Sequence, residues 1–135
     1  MTPRVLVTVS RSWRGWGVMR EALAHVHDMH PNAVLVHGDA PRGDRDAAGI
    51  WRGLGGKTEA WPAEWNKHAP ECPLGHMKER TCKHAGFRRN IAMVESAPDL
   101  VLAFINKASR GATHCAQAAE DAGIPTVYYR QGATP

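Results

Sequence analysis

Between residues 68 and 84 the chain holds His68, Cys72, His76, Cys82 and His84. Thiolate and imidazole are the donors zinc prefers, four to a tetrahedral site, and Cys72-x3-His76-x5-Cys82-x-His84 supplies two of each within thirteen residues. His68 competes with His84 for the fourth place. The spacing is not the C-x2-C of common zinc fingers, so composition rather than a known motif points to a structural zinc here. The plainer alternative is a solvated basic loop with incidental Cys and His. Three cysteines cannot all pair as disulfides, and in a reducing compartment metal ligation is the commoner use of such residues. The third, Cys115, stands alone among small residues and reads as a buried core thiol.

A second chemistry lies in three short segments rich in glycine, hydroxyls and arginine. Ser10, Arg11, Ser12 and Arg14 offer hydroxyls and guanidinium groups suited to an anion. His37–Asp44 (HGDAPRGD) places Gly38 and Gly43 where backbone must turn or approach a ligand closely, and a helix N-terminus should follow. Asn106–His114 (NKASRGATH) is another glycine loop leading into a helix. Any one of these also reads as an ordinary turn; three on one sheet edge argue for a site. None is G-x-G-x-x-G or G-K-[ST], which sets aside the dinucleotide fingerprint and the P-loop. Asp39 or Asp44 has the chemistry of a general base, although a carboxylate at a helix start is more often a cap. Trp13 and Trp16 flank the first loop, and Trp13 is placed to stack on a base, whereas Trp51, Trp61 and Trp65 read as core and loop anchors.

The elements that must carry these segments alternate. Arg4–Val9 is a β-branched strand, and from about Trp16 to His30 the positions Val18, Ala22 and Val26, with Met19 and Leu23 beside them, make an apolar helical face that Pro31 closes. Ala33–His37 is a second strand. A helix from about Asp44 buries Ala47, Ile50, Trp51 and Leu54 and ends at Gly55-Gly56, and Lys57–Ala60 is a weak third strand. The pattern then fails from Trp61 to Gly86, where no period of 2 or 3.6 persists, and such a stretch inside a compact domain needs something other than a core to order it. Order returns with a helix over Phe87–Ala97, a strand over Asp99–Phe104, a helix over Thr113–Ala122 stopped by Gly123, and a strand over Pro125–Tyr129. The expectation is one domain over residues 1–135. It is an α/β, Rossmann-like, doubly wound parallel sheet of five strands in the order 3-2-1-4-5, with residues 61–86 as an irregular insertion after the third strand. Ligand should then meet the carboxyl ends of the first and fourth strands.

Charge sharpens the picture. The 135 residues carry a formal net charge of +4, and the window Lys67–Arg89 accounts for all of it, with six basic residues against two acidic. Arg88 and Arg89 open a helix at the expected anion site, while Lys67, Lys78, Arg80 and Lys83 decorate the Cys/His insertion. No apolar run approaches the roughly 20 residues of a membrane span, and no charged start followed by an apolar stretch marks a leader, so a cytoplasmic protein is expected.

The strings VTVSRSW, VHGDAPRGDRDAAGIW, AGFRRNIAMVESAPDLVLAF and RGATHCAQAAEDAGIPTVYY, in that order, resemble the SLOG superfamily, in particular its small YspA/YpsA-like domains. The resemblance spans nearly the whole chain outside residues 61–84. It implies a Rossmann-like fold that binds or processes nucleotides and nucleotide-derived ligands, with the LOG phosphoribohydrolases and DprA as relatives. By resemblance Ser10, Arg11, Gly38, Asp39, Ala40, Gly43 and Asp44 would line the ligand site, and Arg88, Arg89, Asn90, Gly111 and Thr113 would complete it. Two departures stand out. Aligning Gly111-Ala112 with the GT of the LOG loop GGxGTxxE puts Cys115 where the catalytic glutamate belongs, and Val9 occupies a position that is often glycine in TGSR motifs. Three functions therefore compete: a module that binds a nucleotide or phosphoribosyl-type small molecule, a hydrolase using the same pocket, and a DNA-binding accessory protein. The resemblance also implies a homodimer.

Overall fold

A computed structural model describes residues 2–77, 81–82, 84–107 and 109–131, apart from the side chains of residues 76 and 77. Ten elements run in the order β1 (Arg4–Val9), α1 (Trp16–Met29), β2 (Val34–His37), α2 (Gly43–Gly53), β3 (Lys57–Ala60), α3 (Leu74–Met77), α4 (Ala85–Glu95), β4 (Leu100–Asn106), α5 (Arg110–Asp121) and β5 (Thr126–Gln131). The five strands form one sheet in the order β3-β2-β1-β4-β5, and each pairing is parallel. The Rossmann-like architecture and strand order are as expected.

The period of two along each strand divides the core between the two sheet faces. Val5, Val7 and Val9 of β1, Leu35 of β2, and Leu102 and Phe104 of β4 pack with Met19, Leu23 and Val26 of α1 and Ala47 and Trp51 of α2. Their neighbours Leu6, Val36 and Val101 pack on the opposite face with Met93 and Val94 of α4 and Cys115 and Ala119 of α5. Ala103 and Ile105 complete that side against Ala112 and Ala116 of α5. The central strands are buried on both faces, which is why their sequences are near-continuous apolar runs rather than alternating ones.

Two glycines act as the chain pattern requires. Gly55 (φ 93°) and Gly123 (φ 78°) hold the left-handed conformation just past α2 and α5, where a side chain would be strained. Helix starts differ from expectation. Helix α5 begins at Arg110 rather than Thr113 because Ser109 is extended (φ −65°, ψ 131°) and the helix turns immediately after it. Helix α4 begins at Ala85 rather than Phe87, so the irregular stretch gives up its last residues to a helix. Strand β4 runs on to Asn106 because β5 pairs with it that far, Asn106 opposite Gln131.

Candidate ligand-binding site

A cavity of about 370 Å³ opens at the carboxyl ends of β1 and β4, the crossover point of the sheet. Its floor and one side come from Thr8, Val9, Ser10, Arg11 and Ser12, and Ala40 and Asp44 line it from the start of α2. Ser109–Ala112, at the start of α5, line it from the other side. Helix α4 contributes Gly86, Phe87, Arg89 and Asn90, and the insertion contributes Trp65.

Ser10 is buried, and its Oγ makes a 2.5 Å hydrogen bond with Ser109 Oγ while accepting the Asn106 N–H at 2.9 Å. That hydroxyl ties the β1 loop to the β4 loop. Asn106 Nδ2 adds a second tie to the Ser12 carbonyl at 3.1 Å. Ser109 is thus engaged sideways, and no side chain caps α5, so the first N–H groups of that helix remain available to an anion, favoured there by the helix dipole.

The α2 loop is strained where it meets the cavity. Asp39 (φ 56°) and Arg42 (φ 67°) both take left-handed φ values that non-glycine residues rarely adopt, and such conformations gather at ligand sites. Asp39 N–H donates to His37 Nδ1 at 3.0 Å, and burial lowers the His37 pKa, so the ring is neutral and accepts. Behind this loop Asp44 Oδ2 accepts the Gly38 N–H at 3.0 Å. Burial pushes the Asp44 carboxyl up to about 6, against the opposing pull of the Arg89 guanidinium and of backbone hydrogen bonds at Gly38, Ala40 and Val9.

Arg89 crosses the cavity wall. Its Nη1 donates to the carbonyls of Gly38 and, at 3.2 Å, Trp61, and its Nε donates to Asn90 Oδ1 at 3.0 Å. Asn90 passes the chain on, its Nδ2 donating to the Gly111 carbonyl at 3.2 Å. A network from Asp44 through Arg89 and Asn90 to the start of α5 therefore braces both helix N-termini. Gly38 is the hub: a Cβ there would stand 2.5 Å from Arg89 Nη1 and 2.9 Å from Asp44 Oδ2.

Of the residues singled out in the sequence, Ser10, Arg11, Ala40, Asp44, Arg89, Asn90 and Gly111 meet at the cavity. Gly38, Asp39 and Gly43 shape the loop behind its wall, and Thr113 lies one turn up α5. Trp13 is elsewhere. It is 3% exposed and packs edge-on against Phe104 at 5.5 Å, so the stacking role foreseen for it gives way to a core role. Arg88 also leaves the site, as described below. Trp65 and Phe87, not foreseen here, supply the aromatic walls; Phe87 packs on His114 with ring centroids 4.5 Å apart. Nothing in the periodicity marks Trp65, because the insertion's own folding brings it there. Cys115, at the position of the LOG glutamate, is fully buried and its thiol is pushed up to about 12 by burial, so it brings no charge to the pocket.

The insertion makes a small cluster of its own. Cys72 and Cys82 are buried together with Ala85, and Ala63 and Ala69 pack on them. The ligand atoms of His68, Cys72 and Cys82 all lie within 4.8 Å of one another. The arrangement selects His68 rather than His84 as the imidazole beside the two sulfurs among the described residues, with His84 exposed at the N-cap of α4; the His76 side chain lies outside the described residues. Arg88 Nη1 reaches Cys82 Sγ at 3.3 Å and Cys72 Sγ at 3.7 Å, and its Nη2 donates to the Lys67 carbonyl at 2.8 Å.

A parallel, doubly wound sheet with its polar loops and helix N-termini gathered at the crossover defines a Rossmann-like α/β domain. The chain belongs to the YspA, cpYpsA-related SLOG family (YAcAr), whose family model matches residues 3–68. It is 35% identical over 133 residues to the Gene 61 protein of Mycobacterium phage D29, covering 93% of this chain and 95% of that protein. Its fold is similar to that of DNA processing protein A (DprA) from Streptococcus pneumoniae, with a TM-score of 0.70 at 19% identity. That match covers 94% of this chain and 50% of DprA, so the chain spans about half the length of that structure. No described helix is long and apolar enough to cross a membrane.

Proposed function

We propose that the cavity binds a nucleotide or a nucleotide-derived, phosphoribosyl-type small molecule, and that the protein acts as a sensor, carrier or sequestering module for it. One observation carries the reading. The uncapped start of α5 and the guanidinium of Arg11 share one cavity with two aromatic side chains, the exposed Trp65 and the half-buried Phe87. Phosphate suits the first pair and a planar base the second. The protein is read as a cytoplasmic homodimer formed of one domain per chain, the pairing resting on the family resemblance.

A zinc ion held by the insertion belongs to the same proposal. The donor set fits: two thiols and an imidazole are borderline-soft ligands suited to zinc, and the burial of both cysteines beside the half-buried His68 gives the ion a shaped site. Such an ion would supply order to a segment that has few apolar residues of its own.

A second reading, turnover of the bound nucleotide, is favoured by Asp44. Its carboxyl lines the cavity and titrates near 6, the range useful to a general acid or base. The experiment that tests both is a thermal-shift and calorimetric screen of nucleoside mono- and diphosphates, with product analysis by chromatography. Saturable binding that Arg11→Ala weakens at least about tenfold supports the first reading. Product formation abolished in Asp44→Asn, with binding retained, supports the second. Absence of nucleotide binding beside salt-sensitive binding of a single-stranded oligonucleotide would transfer the function to nucleic acid.

A further inference from the structure

Among the described residues before α4, the insertion touches the cavity through one aromatic side chain, Trp65, and that residue is tied to the cysteine pair. Trp65 is 41% exposed and belongs to none of the hydrophobic clusters formed by the described residues. A large indole on a surface segment normally needs a core to hold it; here the backbone holds it instead. The Cys82 N–H donates to the Trp65 carbonyl at 2.5 Å, and the Cys72 N–H donates to the Ala69 carbonyl at 3.0 Å. Arg88, lying against both sulfurs, holds the Lys67 carbonyl in between. Ala63 and Ala69, on either side of Trp65 in the chain, pack on the cysteines. These anchors of the 63–69 segment converge on the Cys/His centre.

The geometry of that centre suits a bound ion. Cys72 Sγ and Cys82 Sγ stand 3.9 Å apart. Bonded sulfurs lie about 2.05 Å apart, whereas two thiolates at about 2.3 Å from one tetrahedral zinc stand about 3.8 Å apart. The Arg88 guanidinium donates toward both sulfurs, the outer-shell support a negatively charged zinc–thiolate pair calls for. Binding would release the two thiol protons to solvent with no change of oxidation state.

Helix α4 then carries the effect across. Cys82, Ala85 and Arg88 recur at a spacing of three and meet the centre, while Gly86, Phe87, Arg89 and Asn90 line the cavity. Trp65 lies against Gly86 so closely that a Cβ there would stand 3.0 Å from its Cη2. The missing side chain is what lets the indole close over the helix and present its face to the ligand.

We infer that a thiophilic divalent cation of the zinc class, held by His68, Cys72 and Cys82, seats Trp65 as the base-facing wall of the cavity, so that metal loading sets ligand affinity. This rests on the zinc and nucleotide readings above. It makes Trp65 a base-binding residue and the insertion a metal-dependent wall of the site.

The test uses the full chain, zinc-loaded and stripped by chelator, with AMP as the nucleotide probe. Native mass spectrometry should count one zinc per loaded chain, lost in Cys72→Ser and retained in Trp65→Phe. Acrylamide quenching, taken as the difference between wild type and Trp65→Phe, should rise at least about twofold on stripping as Trp65 leaves Gly86. AMP affinity should fall at least about fivefold on stripping, and as far in zinc-loaded Trp65→Ala, the loss of one base-stacking partner. Chain unable to hold zinc, or a Trp65 signal indifferent to zinc, overturns the inference. A Trp65 response with no AMP binding in either form supports the seat and overturns the nucleotide reading. Stripping acts on the wild-type chain, so the outcome stands even where a cysteine variant fails to fold.

Discussion

Arg88 and Arg89 are neighbours in the chain on α4 and serve different centres. The first spreads its guanidinium over the Cys72 and Cys82 sulfurs, and the second reaches the Gly38 carbonyl beside the buried carboxylate of Asp44. The 100° turn per residue of a helix points the two side chains in different directions.

Replacing the two arginines should therefore give different defects. Arg89→Ala leaves Asp44 buried without its neighbouring cation and frees the Gly38 carbonyl, so unfolding free energy should drop by roughly 3 kcal/mol. Arg88→Ala should leave that value within about 1 kcal/mol while weakening zinc binding about tenfold. Urea melts and a chromophoric chelator competition measure the two effects separately.

Gly38→Ala should destabilise the protein by about 1–3 kcal/mol. The added methyl would stand 2.5 Å from Arg89 Nη1 and 2.9 Å from Asp44 Oδ2, and neither partner can retreat without giving up a bond. Thermal denaturation monitored by circular dichroism checks this; a melt unchanged within error would mean the loop relaxes freely.

The Asp44 titration predicts an unusual pH dependence. Its folded pKa, about 6, lies above its ordinary value of 3.8, so the folded state binds the proton more tightly than the unfolded chain. The resulting stability is fully present below pH 4 and is lost as pH rises through 6. A shift of this size amounts to ~3 kcal/mol. In Asp44→Asn the contribution vanishes, so the stability difference between variant and wild type should change between pH 4 and 7 and stay level above. A pH-independent difference would place the carboxylate in water.

Cysteine labelling should separate the three thiols. Cys115 is fully buried with its thiol pushed up to about 12, so iodoacetamide at pH 8 should modify it only after unfolding. Cys72 and Cys82 should be protected in the zinc-loaded chain and modified on chelation, a gain of two adducts by intact mass.

The strand order was legible because the central strands β1, β2 and β4 are buried and read as near-unbroken apolar runs, and because right-handed crossovers make 3-2-1-4-5 the simplest order for five parallel strands joined by helices. The loops after β1, β2 and β4 were legible as site material for the same reason. Individual side chains were less so. Trp13 and Trp65 are the same residue type near loops of similar composition, yet Phe104 draws Trp13 into the core while the insertion delivers Trp65 to the cavity. Those outcomes depend on contacts between residues distant in sequence. The His68–Cys72–Cys82 grouping shows the same limit: composition named the donors, but only the path of the chain chooses His68 over His84.

The pairing of β1 with β4 has a consequence for biosynthesis. Val5 lies opposite Leu100 and Val9 opposite Phe104, so the central pair of the sheet closes across nearly a hundred residues. A nascent chain that has emerged only through β3 holds three of the five strands with the β1 edge unpartnered, and contacts of such separation form slowly. The ligand cavity sits astride that late seam. It comes into being only once β4 and the start of α5 have emerged, and interruption of synthesis between α2 and β4 should yield a chain that lacks the cavity and that chaperones or proteases must clear.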